Sequence, residues 1–305
     1  MSLLVAGSAA WPAHLRESAV AIGNFDGVHA GHKAVIRRLL ALSAELRAPS
    51  CVLTFDPAPT AIVAPSRHQP RILPLDERVR RLGEQGVDVV VVEPFTAELA
   101  ARPAQWFAED LLRGRLHARG VVVGYDFRFG HQRKGDVGAL RHWLPDARVI
   151  ELEPWEEGGS PVSSSRVRKL VAAGAVEDAA ALLGRPHFLR GTVVHGDHRG
   201  RTLGFPTANV RNEVELLPAF GVYAVRATVD GTSHPGVANI GIRPTFGGGE
   251  LRVEVHLFDF TGDLYGKTLE VSLIARVRGE MKFDGLAALT AQITADAARA
   301  RELLA

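Results

Sequence analysis

Gly23-Asn24-Phe25-Asp26-Gly27-Val28-His29-Ala30-Gly31-His32 follows a short apolar run, 19–22, and precedes a helical pattern over 33–46. That places two histidines, three residues apart, at a strand-to-helix turn. A helix N-terminus carries unpaired N–H groups and positive dipole charge, so it attracts anions before any side chain is added. Imidazoles spaced i, i+3 share a helix face and can grip one phosphate. Gly23, Gly27 and Gly31 let the backbone come close to a bulky ligand. The competing readings of His29 and His32 are surface side chains or half of a metal site. Two histidines do not fill a zinc shell, and no Cys/His cluster supplies the rest. The glycine setting favours attack on a nucleotide phosphate.

Outward from this turn, the first half of the chain alternates short β-rich runs with helical patterns. The spacing predicts strands at 19–22, 51–55, 87–92, 121–123 and 149–152, and helices at 33–46, 75–84, 104–116, 137–144 and 165–172. The runs are nearly continuously apolar, as parallel strands covered on both faces require. An open α/β sheet follows, binding ligands at the C-terminal ends of its strands. The histidine turn sits at such an end, as do Asp56 and the stretch Tyr125-Asp126-Phe127-Arg128-Phe129.

The texture changes near residue 184, where Gly184-Arg185-Pro186 breaks a helical segment, 176–183. Short alternating runs follow at 191–195, 222–229, 236–240, 252–258 and 269–275, with Asp230-Gly231 as a hairpin signal. They imply a small antiparallel β domain that closes into a barrel, followed by a final helix over 285–304. The expected domains are 1–184 and 185–305.

Composition bounds the function class. The 305 residues are 46% hydrophobic and 23% charged, with a net charge of +2, as in an ordinary globular protein. A balance this small does not argue for nucleic acid without a localised basic patch. Arg78, Arg80 and Arg81 cluster, but a solvated helix face accounts for them. Cys51, the only cysteine, lies in an apolar run and reads as a small buried hydrophobe, with no intrachain disulfide possible. No run reaches membrane-spanning length, and a reducing, cytoplasmic setting is expected.

Three further stretches carry chemistry. Val162-Ser163-Ser164-Ser165-Arg166-Val167-Arg168 opens a helix, with serines suited to capping it and arginines able to clamp phosphates. Gly204-Phe205-Pro206-Thr207-Ala208-Asn209 follows Gly191, Gly196 and Gly200 in the β domain. A threonine hydroxyl and an asparagine carbonyl are neutral oxygen donors for Mg²⁺, although the same residues also make turns. In Val253-Glu254-Val255-His256-Leu257, alternation puts Glu254 and His256 on one strand face. Gly262-Asp263-Leu264-Tyr265-Gly266-Lys267-Thr268 imitates a P-loop but has three residues between its glycines, where a P-loop has four.

The glycine-rich turn, His-x-Gly-His and the later Ser-Ser-Ser-x-x-Arg resemble the nucleotidyltransferase superfamily. Residues 23–29, Thr-Phe-Asp-Pro at 54–57, Phe-Arg-Phe-Gly at 127–130, 163–168 and Pro-Thr-Ala-Asn at 206–209 resemble the bacterial bifunctional riboflavin kinase/FMN adenylyltransferases, or FAD synthetases. The resemblance covers nearly the whole chain. It implies a Rossmann-like nucleotidyltransferase domain, a riboflavin kinase-like barrel with a terminal helix, and Mg²⁺ with ATP, riboflavin, FMN and FAD as substrates or products. It implies His29 and His32 as catalytic, and Gly23, Phe25, Asp26, Gly31, Asp126, Ser164 and Arg168 as binding ATP or phosphate for adenylylation. In the barrel it implies Gly204, Pro206, Thr207 and Asn209 for ATP, Thr207 and Asn209 for the metal, and Glu254 as the base. Asn239 to Phe246 and Phe258-Asp259-Phe260 also match family segments, without assigned roles. Small-molecule substrates, no nucleic acid, no membrane, and a monomer or weak homo-oligomer are expected. The family usually has a histidine where Ala58 stands here, which leaves a kinase with an altered N-terminal domain as the alternative.

Overall fold

The computed structural model describes residues 2–195, 205–245 and 248–305, without the side chains of 243–250. Gly196, Gly200, Gly204 and Phe246 of the sequence motifs therefore lie outside the described residues. Two compact units form, residues 1–164 and 165–305.

The first unit is built on six parallel strands: β1 (Leu3–Ala6), β2 (Ser18–Ile22), β3 (Ser50–Asp56), β4 (Val89–Pro94), β5 (Ala118–Gly124) and β6 (Arg148–Leu152). Their spatial order is β1-β4-β3-β2-β5-β6. β2 is buried along its whole length, which is why its sequence is apolar throughout instead of alternating. On one face Val20, Ile22, Leu53, Val91, Val121 and Val123 pack in a cluster with Phe107, Leu111 and Leu112. On the other, α1 (Ala30–Leu46) lies so close to β5 that a Cβ on Gly120 would stand 2.6 Å from Leu42. Buried Cys51 belongs to the core, and burial pushes its thiol pKa up, so it behaves as a small hydrophobe.

The short α2 (Pro59–Val63) follows β3, and α3 (Leu75–Glu84) leads into β4. After β4 come α4 (Ala97–Ala101) and α5 (Ala104–Trp106), the latter continuing in π-helical turns over Phe107–Arg115. There the Leu116 amide donates to the Leu111 carbonyl at 3.0 Å, five residues back. α6 (Val137–Trp143) precedes β6, and a two-stranded ribbon, β7 (Glu156–Glu157) with β8 (Ser160–Pro161), follows it. The strand order reverses between β2 and β5, and ligands of open α/β sheets bind outside the strand C-termini at such a point.

The second unit begins with α7 (Ser164–Ala173) and α8 (Val176–Leu183) and continues into a closed antiparallel barrel of order β10-β13-β12-β11-β14-β9. Its strands are β9 (His187–Val194), β10 (Ala208–Asn212), β11 (Gly221–Val229), β12 (Thr232–Thr245), β13 (Gly248–Leu257) and β14 (Thr268–Gly279). α7 and α8 sort with the barrel because Arg276 of β14 donates its Nη1–H to the Ala173 carbonyl at 3.3 Å. Its amide also donates to the Glu177 carboxylate at 3.2 Å. The Asp230-Gly231 hairpin forms as expected, joining β11 to β12 with both residues at positive φ (50° and 78°), as a type I′ turn requires. The P-loop imitation is the connection between β13 and β14.

A C-terminal helix, Leu286–Leu304, covers one side of the barrel. Its Ala297, Ala300 and Leu304 pack on Val222, Ala224, Val237, Phe258 and Ala275. Arg278 forks onto Asp296 of that helix at 2.7–3.0 Å, a largely buried ion pair that fixes the helix in place.

Candidate active sites

The first site is the turn between β2 and α1. His29 is the N-cap of α1, and its Nδ1 accepts the His32 amide at 3.3 Å. A ring whose Nδ1 accepts holds its proton on Nε2 when neutral. The His29 and His32 rings stack with centroids 3.6 Å apart and planes 16° from parallel, so the two imidazoles work as one block at the helix N-terminus. The Phe25 ring stands 5.2 Å from His32. Gly27 has φ 93°, a left-handed backbone that glycine adopts at no steric cost. Less expected, Phe25 (φ 49°) and Val28 (φ 44°) also occupy left-handed backbone. A β-branched residue there is an outlier, and such strain persists only where the surroundings over-determine it.

Those surroundings are polar and specific. The Asp26 carboxylate accepts the amides of Ile72 (3.0 and 3.1 Å) and Leu73 (3.1 Å), and the Asp26 carbonyl accepts the Ser164 hydroxyl at 2.8 Å. The Asn24 carbonyl accepts both the Thr54 hydroxyl and the Arg78 Nη1–H, each at 3.0 Å. Asp26 and Ser164, expected among the phosphate-binding residues, thus use these groups to hold the turn. Gly23 and Gly31 leave room for rings. A Cβ on Gly23 would stand 3.3 Å from Phe25, and one on Gly31 3.3 Å from His29.

Arg78 corrects the sequence reading of a solvated arginine face. Only 3% of its side chain is exposed, whereas that of Arg80 is 52% exposed. Arg80 and Arg81 pair with the buried Glu77. Arg78 faces inward because carbonyls from the turn after β2 and from the end of β3 converge on it, a tertiary cause without a local sequence signal. Asp126 is exposed just beyond β5, and Ala58 precedes α2 without a side-chain cap. Arg166 and Arg168 lie in the first turns of α7.

The second site is on the outer face of the barrel. Along β13, Val253, Val255 and Leu257 are buried while Glu254 and His256 alternate outward. Thr207 precedes β10, and Asn209, two residues on, lies directly opposite Glu254. Asn239 of β12 lies opposite Glu254 on its other side. One cross-strand row therefore reads Asn209–Glu254–Asn239, with Cβ atoms of neighbours about 4.5–5.5 Å apart. The sequence assigns Asn239 no role, and only strand register brings it beside Glu254. His256 Nδ1–H donates to the Pro206 carbonyl at 2.8 Å, tying the Pro-Thr-Ala-Asn stretch to β13. The Phe205 ring meets His256 edge-on at 5.5 Å. Arg252 Nη1 stands 3.4 Å from Glu254 Oε1.

Comparison with known proteins divides the chain in the same order. A family model described as FAD synthetase matches residues 11–166, and one described as riboflavin kinase matches 183–304. The bifunctional riboflavin kinase/FMN adenylyltransferase of Pseudomonas fluorescens is 42% identical over 302 residues, 96% of this chain and 95% of that protein. The enzyme of the same name from Escherichia coli K12 is 42% identical over 284 residues, covering 92% and 91%. A solved structure named as a macrolide-efflux protein of Streptococcus pneumoniae superposes with a TM-score of 0.87 at 33% identity over 97% of both chains. No helix among the described residues of this chain is long and apolar enough to cross a membrane. With both family models in sequence and relatives of this identity over nearly the full length, the chain belongs to the bifunctional riboflavin kinase/FMN adenylyltransferase family.

Proposed function

We propose that the histidine block of the first unit performs the adenylyl transfer of this bifunctional enzyme and that the Asn209–Glu254 row performs its kinase reaction. The chain phosphorylates riboflavin to FMN with ATP, then adenylylates FMN with a second ATP to give FAD and pyrophosphate.

In the kinase reaction the riboflavin 5′-hydroxyl oxygen attacks the γ-phosphorus of ATP. The bond from that phosphorus to the bridging oxygen breaks, and ADP leaves. Glu254 accepts the hydroxyl proton. Such transfers depend mainly on position and charge stabilisation, so few reactive side chains are needed. The Thr207 hydroxyl and the Asn209 carboxamide are neutral hard oxygen donors, a set that suits Mg²⁺ completed by nucleotide phosphates and water. When bound, Mg²⁺ would supply charge neutralisation at the phosphates. Asn239, opposite Glu254 on β12, would help orient the hydroxyl.

In the adenylyl transfer a phosphate oxygen of FMN attacks the α-phosphorus of ATP. The bond to the β-phosphate bridging oxygen breaks and pyrophosphate leaves. His29 and His32 stabilise charge developing on the transferring phosphate, with the α1 N-terminus behind them. Gly23, Phe25, Gly31 and Asp126 shape the nucleotide pocket, while Arg168, and with it Arg166, holds the pyrophosphate side. The functional boundary lies near residue 184, a placement supported by the FAD synthetase match ending at 166 and the riboflavin kinase match starting at 183. Both reactions consume ATP, which supports a cytoplasmic enzyme working on small molecules.

The observation that carries this reading is the stacked histidine pair capping α1 at the sheet's switch point. The test is chromatography of purified protein with Mg²⁺ and ATP, given riboflavin or FMN separately. His32→Ala should lose about 10²–10³ in FAD formation and keep FMN formation, and Glu254→Gln should do the reverse. Equal loss of both activities in a folded variant sinks the two-site assignment.

A further inference from the structure

The Arg78 side chain is buried against two backbone carbonyls from two different strand ends. Nη1 donates to the Asn24 carbonyl and Nη2 to the Phe55 carbonyl, each at 3.0 Å, and Nη2 lies 3.6 Å from the Asp56 carboxylate. Asn24 belongs to the histidine turn after β2, and Phe55 and Asp56 end the neighbouring β3. Arg71 Nη1, 3.3 Å from Asp56, brings a second cation to the same carboxylate. The segment leading into α3 grips the turn independently, since Ile72 and Leu73 donate their amides to Asp26. Burial pushes the Arg78 guanidinium pKa down from the ordinary arginine range, while Asp26 and Asp56 oppose that shift.

A planar fork is the side chain that can hold two carbonyls at a fixed separation, and an ammonium cannot reproduce it. We propose that Arg78 is a positioning residue of the adenylyl transfer: it sets the spacing between the histidine turn and the Asp56-Pro57 loop, and so aims His29 and His32 at the phosphate. The proposal rests on the histidine block being the adenylylation site. Arg78 acts through the backbone of Asn24, five residues before His29, the residue that caps α1 and stacks on His32. A misplacement of about 1 Å in such a site costs roughly 10²-fold in rate, which is the scale of loss its removal should produce.

The test uses the full chain and its second activity as an internal control. Arg78→Met keeps most of the volume without the fork, and Arg78→Lys keeps the charge without the bidentate geometry. Both should form FMN from riboflavin at the normal rate. FAD formation from FMN should fall about 100-fold in Arg78→Met and at least tenfold in Arg78→Lys. The deciding readout is coupling. In a His32→Ala background, Arg78→Met should cost at most about tenfold further instead of about 100-fold, because only the His29 ring is left to aim. A purely structural role predicts the full loss again in that background, and such additivity overturns the proposal. If Arg78→Met does not fold, Arg78→Lys decides by the same comparison. His32→Ala inactive beside fully active Arg78 variants overturns the proposal alone. His32→Ala forming FAD at full rate overturns the site assignment and the proposal with it.

Discussion

Replacing Gly31 by alanine adds a single methyl group where the structure has little room for one. The added Cβ would stand 3.1 Å from the Val162 carbonyl oxygen and 3.3 Å from both Nδ1 and Cε1 of His29, inside the 3.4 Å at which ordinary contact begins. The Val162 segment is held by its own backbone, its amide donating to the Trp155 carbonyl at 2.8 Å. The ring is the softer partner, because its link to the His32 amide is already 3.3 Å long. A ring displaced by a few tenths of an ångström loses that link and shifts the stacked partner with it. If about 1 Å costs roughly 10²-fold, this displacement should cost about five- to tenfold in FAD formation. Alanine is the better helix former by roughly 0.5–1 kcal/mol, so the first unit should not be destabilised through its helix propensity. Chromatographic assay of FAD from FMN, beside FMN from riboflavin, reads the effect against the untouched kinase. Unchanged FAD formation in Gly31→Ala would refute the claim that the ring's position sets the rate.

The barrel offers two further tests. His187 is wholly buried in β9, its Nε2–H donates to the Leu216 carbonyl at 2.9 Å, and burial lowers its pKa from 6.5 to about 4. The unfolded chain then binds a proton that the folded chain refuses. Its share of stability is complete above pH 6.5 and is lost as pH falls toward 4, by about 3 kcal/mol. Urea midpoints by circular dichroism across that range should fall less steeply in His187→Gln than in the parent, and equal slopes refute the assignment. In Gly191→Ala, a Cβ would stand 1.9 Å from the Arg211 carbonyl oxygen across the β9–β10 pair. That clash with backbone should cost about 1–3 kcal/mol by thermal melt and depress FMN formation, while FAD formation from supplied FMN persists.

Strands whose burial matched their sequence were legible, and those held by context were not. β2 to β5 announced themselves because parallel strands covered on both faces need apolar runs. β1 escaped because it is four residues at the sheet edge, with Leu3 and Leu4 exposed, and pairing with β4 alone makes it a strand. β10 escaped because Ala208-Asn209-Val210-Arg211-Asn212 has neither an apolar run nor β-favouring residues at most positions. The histidine pair was readable from its spacing, since i, i+3 on a helix is geometry the sequence carries. Arg78 was not, because arginine is exposed by default and its burial follows from carbonyls contributed by residues more than twenty positions away. Likewise Asn239 gained a place beside Glu254 only through strand register.

The alternation along β13 has one more consequence. A slip of one residue against β12 or β10 would turn Glu254 and His256 into the barrel interior and Val253, Val255 and Leu257 out to water. The mispaired chain would bury a carboxylate where valines belong and present an oily strip on its outer face. With Glu254 as the proposed base, a molecule that phosphorylates riboflavin has already paired this strand correctly, and kinase turnover then doubles as a measure of the correctly folded fraction in a preparation of the protein.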